Sequence, residues 1–158
     1  MNSFGTTESI CRAVEKYSSM LLHLAMTRLT SSADAEDTVQ EVFIRLMTKA
    51  PNFKDEEHEK AWLIRTTLNY ASNLRKSSAN KVLPLDETVP TIQPEQYDLL
   101  SAVRSLPDKY SAVIHLHYYE GYSLKEISKL LGLPVATVGT RLTRGREKLR
   151  QLLKEDFA

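Results

Sequence analysis

Cysteine is nearly missing from this chain of 158 residues: Cys11 stands alone. One thiol excludes an internal disulfide framework and any multi-cysteine zinc site, and it fits a reducing compartment. Glycine and proline are scarce as well, at five and six, which argues against a loop-rich all-β fold. No apolar run approaches the roughly twenty residues that span a bilayer. Glu8, Arg12, Glu15 and Lys16 interrupt the first twenty residues, so no signal peptide or membrane insertion is expected, and the expected location is the cytoplasm. Charge of one sign is lacking too: 21 Lys and Arg face 20 Asp and Glu, a net charge of +1. Signatures of catalysis do not appear, neither a Gly-rich phosphate loop nor a nucleophile motif. His115 and His117 are two apart and point to different faces of a helix, while His23, His58 and Cys11 are scattered. Neither an enzyme nor a metal site is expected.

What the chain does have is helical period. Hydrophobic residues make up 42%, enough for a core. Ile10, Val14, Tyr17, Leu21 and Leu24 recur at spacings of four and three, as do Ala35, Val39, Val42 and Leu46, and again Ala61, Ile64, Leu68 and Ala71. These stripes predict three amphipathic helices near 7–28, 33–49 and 59–77 that bury one face each in a bundle. Trp62 reads as a core residue rather than a stacking platform. The pattern stops at residues 81–94, where three prolines fall. Proline removes an amide donor and restricts its predecessor, so this segment is expected to link two helical domains, 1–80 and 95–158.

Beyond the linker shorter helices are expected at 95–105, 107–119 and 123–131, with a long last helix at 134–154. Ser123 and Glu126 form a capping box, with Leu124, Ile127 and Leu131 facing inward. Gly132 suits the left-handed stop. Charge gathers at this end: residues 134–154 hold six basic residues against Glu147 alone. At about 100° per residue, Val138, Leu142, Gly145, Leu149 and Leu152 fall on one side of the last helix. Thr137, Thr140, Thr143 and Arg144 fall opposite, with Arg141, Arg146 and Lys148 flanking the inner stripe. Two helices joined by a glycine turn, the second bearing short hydroxyls and arginine outward, read as a DNA-binding helix-turn-helix. Small side chains admit the helix to the major groove, and arginine grips guanine or phosphate.

Residues 106–149, LPDKYSAVIHLHYYEGYSLKEISKLLGLPVATVGTRLTRGREKL, resemble region 4 of bacterial RNA polymerase sigma factors. Residues 34–46, DAEDTVQEVFIRL, resemble region 2.2 of that family, and residues 61–76, AWLIRTTLNYASNLRK, regions 2.3 to 2.4. With no room for region 3 and nothing before region 2, the architecture is similar to the extracytoplasmic-function (ECF) type. The resemblance implies an all-α protein of two small helical domains that takes no cofactor. It implies core RNA polymerase as partner, through its β′ coiled coil and β flap, with promoter DNA and an anti-sigma factor. Asp37, Gln40 and Glu41 would meet the polymerase. Asn52 and Lys54 of a loop, with Arg65, Asn69, Asn73, Arg75 and Lys76, would meet the minus-ten element. Thr137, Thr140, Arg141, Thr143, Arg144, Arg146 and Lys148 would meet the minus-thirty-five element. Two positions depart from the family pattern: members often carry Asp where Asn73 stands and usually Lys or Arg where Gly139 stands. The rival reading is a stand-alone helix-turn-helix regulator, which needs a dimer interface or ligand pocket in residues 1–80.

Overall fold

The computed structural model describes residues 7–79 and 94–157. The described residues are helical, with no strand among them, and the chain divides into two compact units, residues 1–85 and 86–158. The expected linker lies outside the described residues, apart from Pro94, which opens a helix.

The first unit holds α1 (Thr7–Met26), α2 (Ser32–Lys49) and α3 (Glu56–Ala79), each packed against the other two. Ser31 caps α2 by accepting the Asp34 amide at 3.3 Å, which satisfies a donor that the first turn leaves open. Leu21, Leu24, Val42, Leu46, Leu63 and Ile64 are buried almost completely. Buried Arg28 donates from its guanidinium to the Leu68 carbonyl at 3.0 Å and so ties the end of α1 to α3. One expected stripe residue is displaced. Val14 is 38% exposed and Ala13 is buried in its place: at the helical period residue 13 lies about 40° from Tyr17, and residue 14 about 60° to the other side.

The second unit holds α4 (Pro94–Ser105), α5 (Asp108–Ile114), α6 (Leu124–Leu131) and α7 (Val135–Phe157). The helix expected over 107–119 does not stay regular: from His115 to Tyr119 it widens into a π-turn. The Glu120 amide returns to the His115 carbonyl at 3.1 Å and the Tyr122 amide to Leu116 at 3.0 Å. The wider turn satisfies these carbonyls while the chain swings away at Gly121, whose φ of 80° suits glycine. In α6 the inward residue is Leu130, 2% exposed, beside Ile127, whereas Leu131 and Leu124 are half-buried. An eight-residue helix wedged between α7 and the π-turn buries 127 and 130, one turn apart, and leaves the flanks at the rim.

Candidate nucleic-acid interface

The helix-turn-helix is built from local chemistry. Ser123 Oγ accepts the Glu126 amide at 3.1 Å, and the Glu126 carboxylate accepts the Ser123 amide at 3.0 Å. Two open donors of α6 are thereby satisfied reciprocally. At its other end Gly132 adopts φ 68°, and the Leu133 amide returns to the Ser128 carbonyl at 3.0 Å. Ser128 Oγ also bonds the Leu133 carbonyl, so the turn is held from both strands of the backbone. α7 then starts at Pro134, whose carbonyl accepts the Val138 amide at 3.1 Å.

α7 buries Val138, Leu142 and Gly145. Gly145 allows α5 to close in: a Cβ there would lie 3.0 Å from Ile114 Cγ1 and 3.3 Å from Tyr110 Cβ. Thr140, Thr143, Arg144, Arg146 and Lys148 are exposed, while Thr137 and Arg141 are half-buried. Thr137 therefore stands at the edge of the outward face rather than at its centre, beside the buried Val138. The Thr140 and Thr143 hydroxyls donate back to the carbonyls of Ala136 and Gly139, both at 3.0 Å. With the proton committed to the helix, each presents a methyl and oxygen lone pairs outward. That pair of groups suits a thymine methyl or an exocyclic amine.

An open cleft of about 540 Å³ lies along this face, between α7, the start of α6 and the π-turn. Gly139 and Leu124 form part of its wall, and a Cβ on Gly139 would touch Leu124 at 3.5 Å, an ordinary contact. Tyr118 and His117 of the π-turn border the cleft, and sequence periodicity gave no sign of either. Tyr118 is 54% exposed, and its hydroxyl accepts from Arg146 at 3.0 Å across 28 residues of chain. His117 Nδ1 lies 2.8 Å from the Tyr122 carbonyl, so it donates there. Burial pushes the Tyr110 hydroxyl pKa up, but Lys109 and a hydrogen bond from Arg144 outweigh it and leave it below the ordinary 10.0. Arg146 of α7 is thus steadied by a tyrosine from the π-turn.

In the first unit Asp37 and Gln40 of α2 are exposed, and Glu41 is half-buried. Glu41 lies 3.6 Å from Arg45, whose guanidinium stands 5.1 Å from the Tyr70 ring centroid. Ile44, 48% exposed, projects from the same side of the helix as these polar residues, and Met47, 50% exposed, lies beside Gln40. The face expected to be polar therefore has an apolar centre. Polar spacing alone could not show this, although exposed apolar residues off the core stripe were the available signal.

Arg65, Asn69, Asn73 and Lys76 of α3 are exposed and follow one another at spacings of four, four and three, so they share a stripe. Arg75 is half-buried and turns about a third of a revolution away from the middle of that stripe. Asn52 and Lys54 are exposed on the loop that precedes the helix. Trp62, expected in the core, is only half-buried and meets the Phe53 ring edge-on at 5.8 Å. Among the described residues no group of three or more His, Cys, Asp or Glu side chains could hold a metal. No helix there is long and apolar enough to cross a membrane.

Residues 13–80 match the family model described as Sigma-70 region 2, and residues 96–149 match Sigma-70, region 4. The chain is 31% identical to the ECF RNA polymerase sigma factor SigW of Bacillus subtilis, over 96% of its own length and 92% of that protein. It is 32% identical to the RNA polymerase sigma factor SigV of the same organism, over 85% and 86%. In fold it is similar to the sigma factor RpoE of Bartonella quintana, solved in complex with the anti-sigma factor NepR, with a TM-score of 0.71 over 94% of this chain and 98% of that one at 22% identity. A region 2 bundle followed by a region 4 helix-turn-helix, in a chain matching such relatives over nearly its whole length, makes this protein a member of the extracytoplasmic-function sigma factors of bacterial RNA polymerase.

Proposed function

We propose that this chain binds core RNA polymerase and directs it to promoters, supplying recognition and no catalysis of its own. The observation that carries the reading is α7: its outer face pairs two exposed threonines with exposed Arg144, flanked by exposed Arg146, behind a capped helix and a left-handed glycine turn. In this reading residues 95–158 dock on the minus-thirty-five element. Thr140, Thr143 and Arg144 meet base edges there, while Arg146 and Lys148 meet phosphates and Thr137 and Arg141 line the rim. Residues 1–80 take the polymerase and the minus-ten element, and 81–94 connect the two. On α2, Asp37, Gln40 and Glu41 surround Ile44 as the face for the β′ coiled coil, a polar rim around an apolar anchor. On α3, Arg65, Asn69, Asn73 and Lys76 form a track for the separated strand, with Arg75 steadying its side and Asn52 and Lys54 reaching from the loop. The β flap, promoter DNA and an anti-sigma protein complete the proposed partners, in the cytoplasm.

Transcription in vitro tests this directly. Core enzyme plus the protein should start at discrete sites that core alone does not use, and Asp37→Lys with Glu41→Lys should weaken pull-down of core with helicity unchanged. A stand-alone regulator would shift duplex DNA without polymerase and leave core unchanged, and that result would replace the reading.

A further inference from the structure

The start of α3 is closed by an arrangement that the α7 interface does not share. Asp55 Oδ1 accepts the His58 amide at 2.8 Å, and the Asp55 carbonyl accepts the Glu59 amide at 3.2 Å. His58 then reaches back: its Nδ1 lies 3.1 Å from the Lys54 amide nitrogen. A backbone amide can only donate, so Nδ1 carries no proton and accepts. In the ordinary capping box a carboxylate or amide at this position returns to the amide of the capping residue itself. Here the imidazole bonds one residue further back, within the loop. The ring is braced by Phe53, edge-on at 5.2 Å and 85°, and Phe53 rests in turn on Trp62 at 5.8 Å. The loop backbone is therefore held at Lys54 by a hydrogen bond and at Phe53 by two ring contacts. Lys54 and Asn52, on either side of the braced Phe53, remain exposed.

The geometry points to His58 as the positioning residue of the minus-ten loop: its Nδ1 acceptor presets the backbone on which Asn52 and Lys54 meet an unstacked promoter base. This rests on the proposed role of that loop. A segment ordered before binding does not have to lose its freedom on binding. Ordering about one residue late weakens affinity by about tenfold. His58 itself touches no nucleic acid in this scheme; it acts through Lys54 and Phe53.

Two substitutions separate the acceptor from the bulk of the ring. His58→Leu keeps an apolar contact for Phe53 and loses the acceptor; His58→Asn offers an acceptor oxygen near the place of Nδ1. The full chain is assembled with core polymerase and titrated with a single-stranded non-template minus-ten oligonucleotide from a promoter the holoenzyme transcribes. His58→Leu should bind it about tenfold more weakly and His58→Asn within about twofold of wild type. Hydrogen exchange at the Lys54 amide of the free protein should accelerate in His58→Leu and stay slow in His58→Asn. Oligonucleotide binding by His58→Leu equal to wild type, where Asn52→Ala and Lys54→Ala both weaken it, overturns the positioning role and leaves the loop's role standing. No effect from Asn52→Ala and Lys54→Ala removes the loop reading and the inference with it. Should His58→Leu fail to fold, His58→Asn decides: loss of binding with the Lys54 amide still protected overturns the inference.

Discussion

In each unit one helix beside the proposed nucleic-acid face starts in the same way but with different side chains: α6, which precedes α7, and α3. At α6 a serine caps and a glutamate three residues on returns the bond, at 3.1 and 3.0 Å. At α3 an aspartate caps at 2.8 Å and a histidine three residues on returns it at 3.1 Å. The glutamate bond closes on the capping residue and serves only the helix. The histidine bond closes on the residue before and orders a loop. The second unit thus invests in a rigid turn between two helices, suited to a groove of fixed width. The first holds a shaped loop, which in the proposed reading catches a base after it leaves the stack.

The sharpest way to separate the units is through their cores. The single tryptophan, Trp62, lies in the first unit, so its fluorescence reports that unit while circular dichroism reports both. Gly145→Leu forces a side chain into space where a Cβ alone would stand 3.0 Å from Ile114. Overpacking of this kind costs about 1–3 kcal/mol. Part of the dichroism transition should move to lower denaturant while Trp62 fluorescence stays in place. Movement of both together would show that the two units unfold as one.

The caps come next. Ser123→Ala and Asp55→Ala should each cost about 1 kcal/mol, the first visible only by circular dichroism and the second also by Trp62 fluorescence. Equal loss of minus-ten and minus-thirty-five binding in both variants would erase the division of labour between the two starts.

Gly139 offers a smaller effect on the second unit alone. Its Cβ would meet only Leu124, at 3.5 Å, so Gly139→Lys should gain about 0.5–1 kcal/mol of helix stability. A lysine there should add one phosphate contact, steepening the salt dependence of minus-thirty-five duplex binding by about one unit. Weaker binding with the helix intact would mean that the bare backbone approaches the DNA at this point.

The smallest effect belongs to the first unit. Burial raises the Glu59 pKa above 4.5, against the opposing pull of Lys16 and Arg12. A raised carboxyl pKa means that the fold holds the proton more tightly than the unfolded chain does. Its favourable contribution is present below 4.5 and is lost as pH rises through the folded value, so at neutral pH the ionised group is a cost. Glu59→Gln should raise the melting temperature followed by Trp62 fluorescence at neutral pH, and the gain should vanish on acidification. A lower melting temperature at neutral pH would show instead that Lys16 and Arg12 outweigh burial.

Much of this was legible in the residues themselves. The periods of apolar residues placed the three helices of the first unit to within a few residues, because a stripe that must be buried every three or four positions has one regular solution. Ser123, Glu126 and Gly132 named the helix-turn-helix because capping and left-handed turns depend on neighbours in the chain. Thr140, Thr143 and Arg144 fell outward because their opposite face was apolar. The half-buried Thr137, the exposed Val14 and the inward Leu130 were not legible: which edge of a stripe is covered depends on the helix lying across it.

Sequence by itself therefore determined the all-helical class, the two helical units and the outward chemistry of α7, since each follows from interactions within a few residues. Tertiary structure decided the rest. It widened His115–Tyr119 into a π-turn and brought Tyr118 to Arg146 across 28 residues. It also seated Phe53 between His58 and Trp62. Contacts between elements are fixed by how whole faces pack, and no local pattern carries that information.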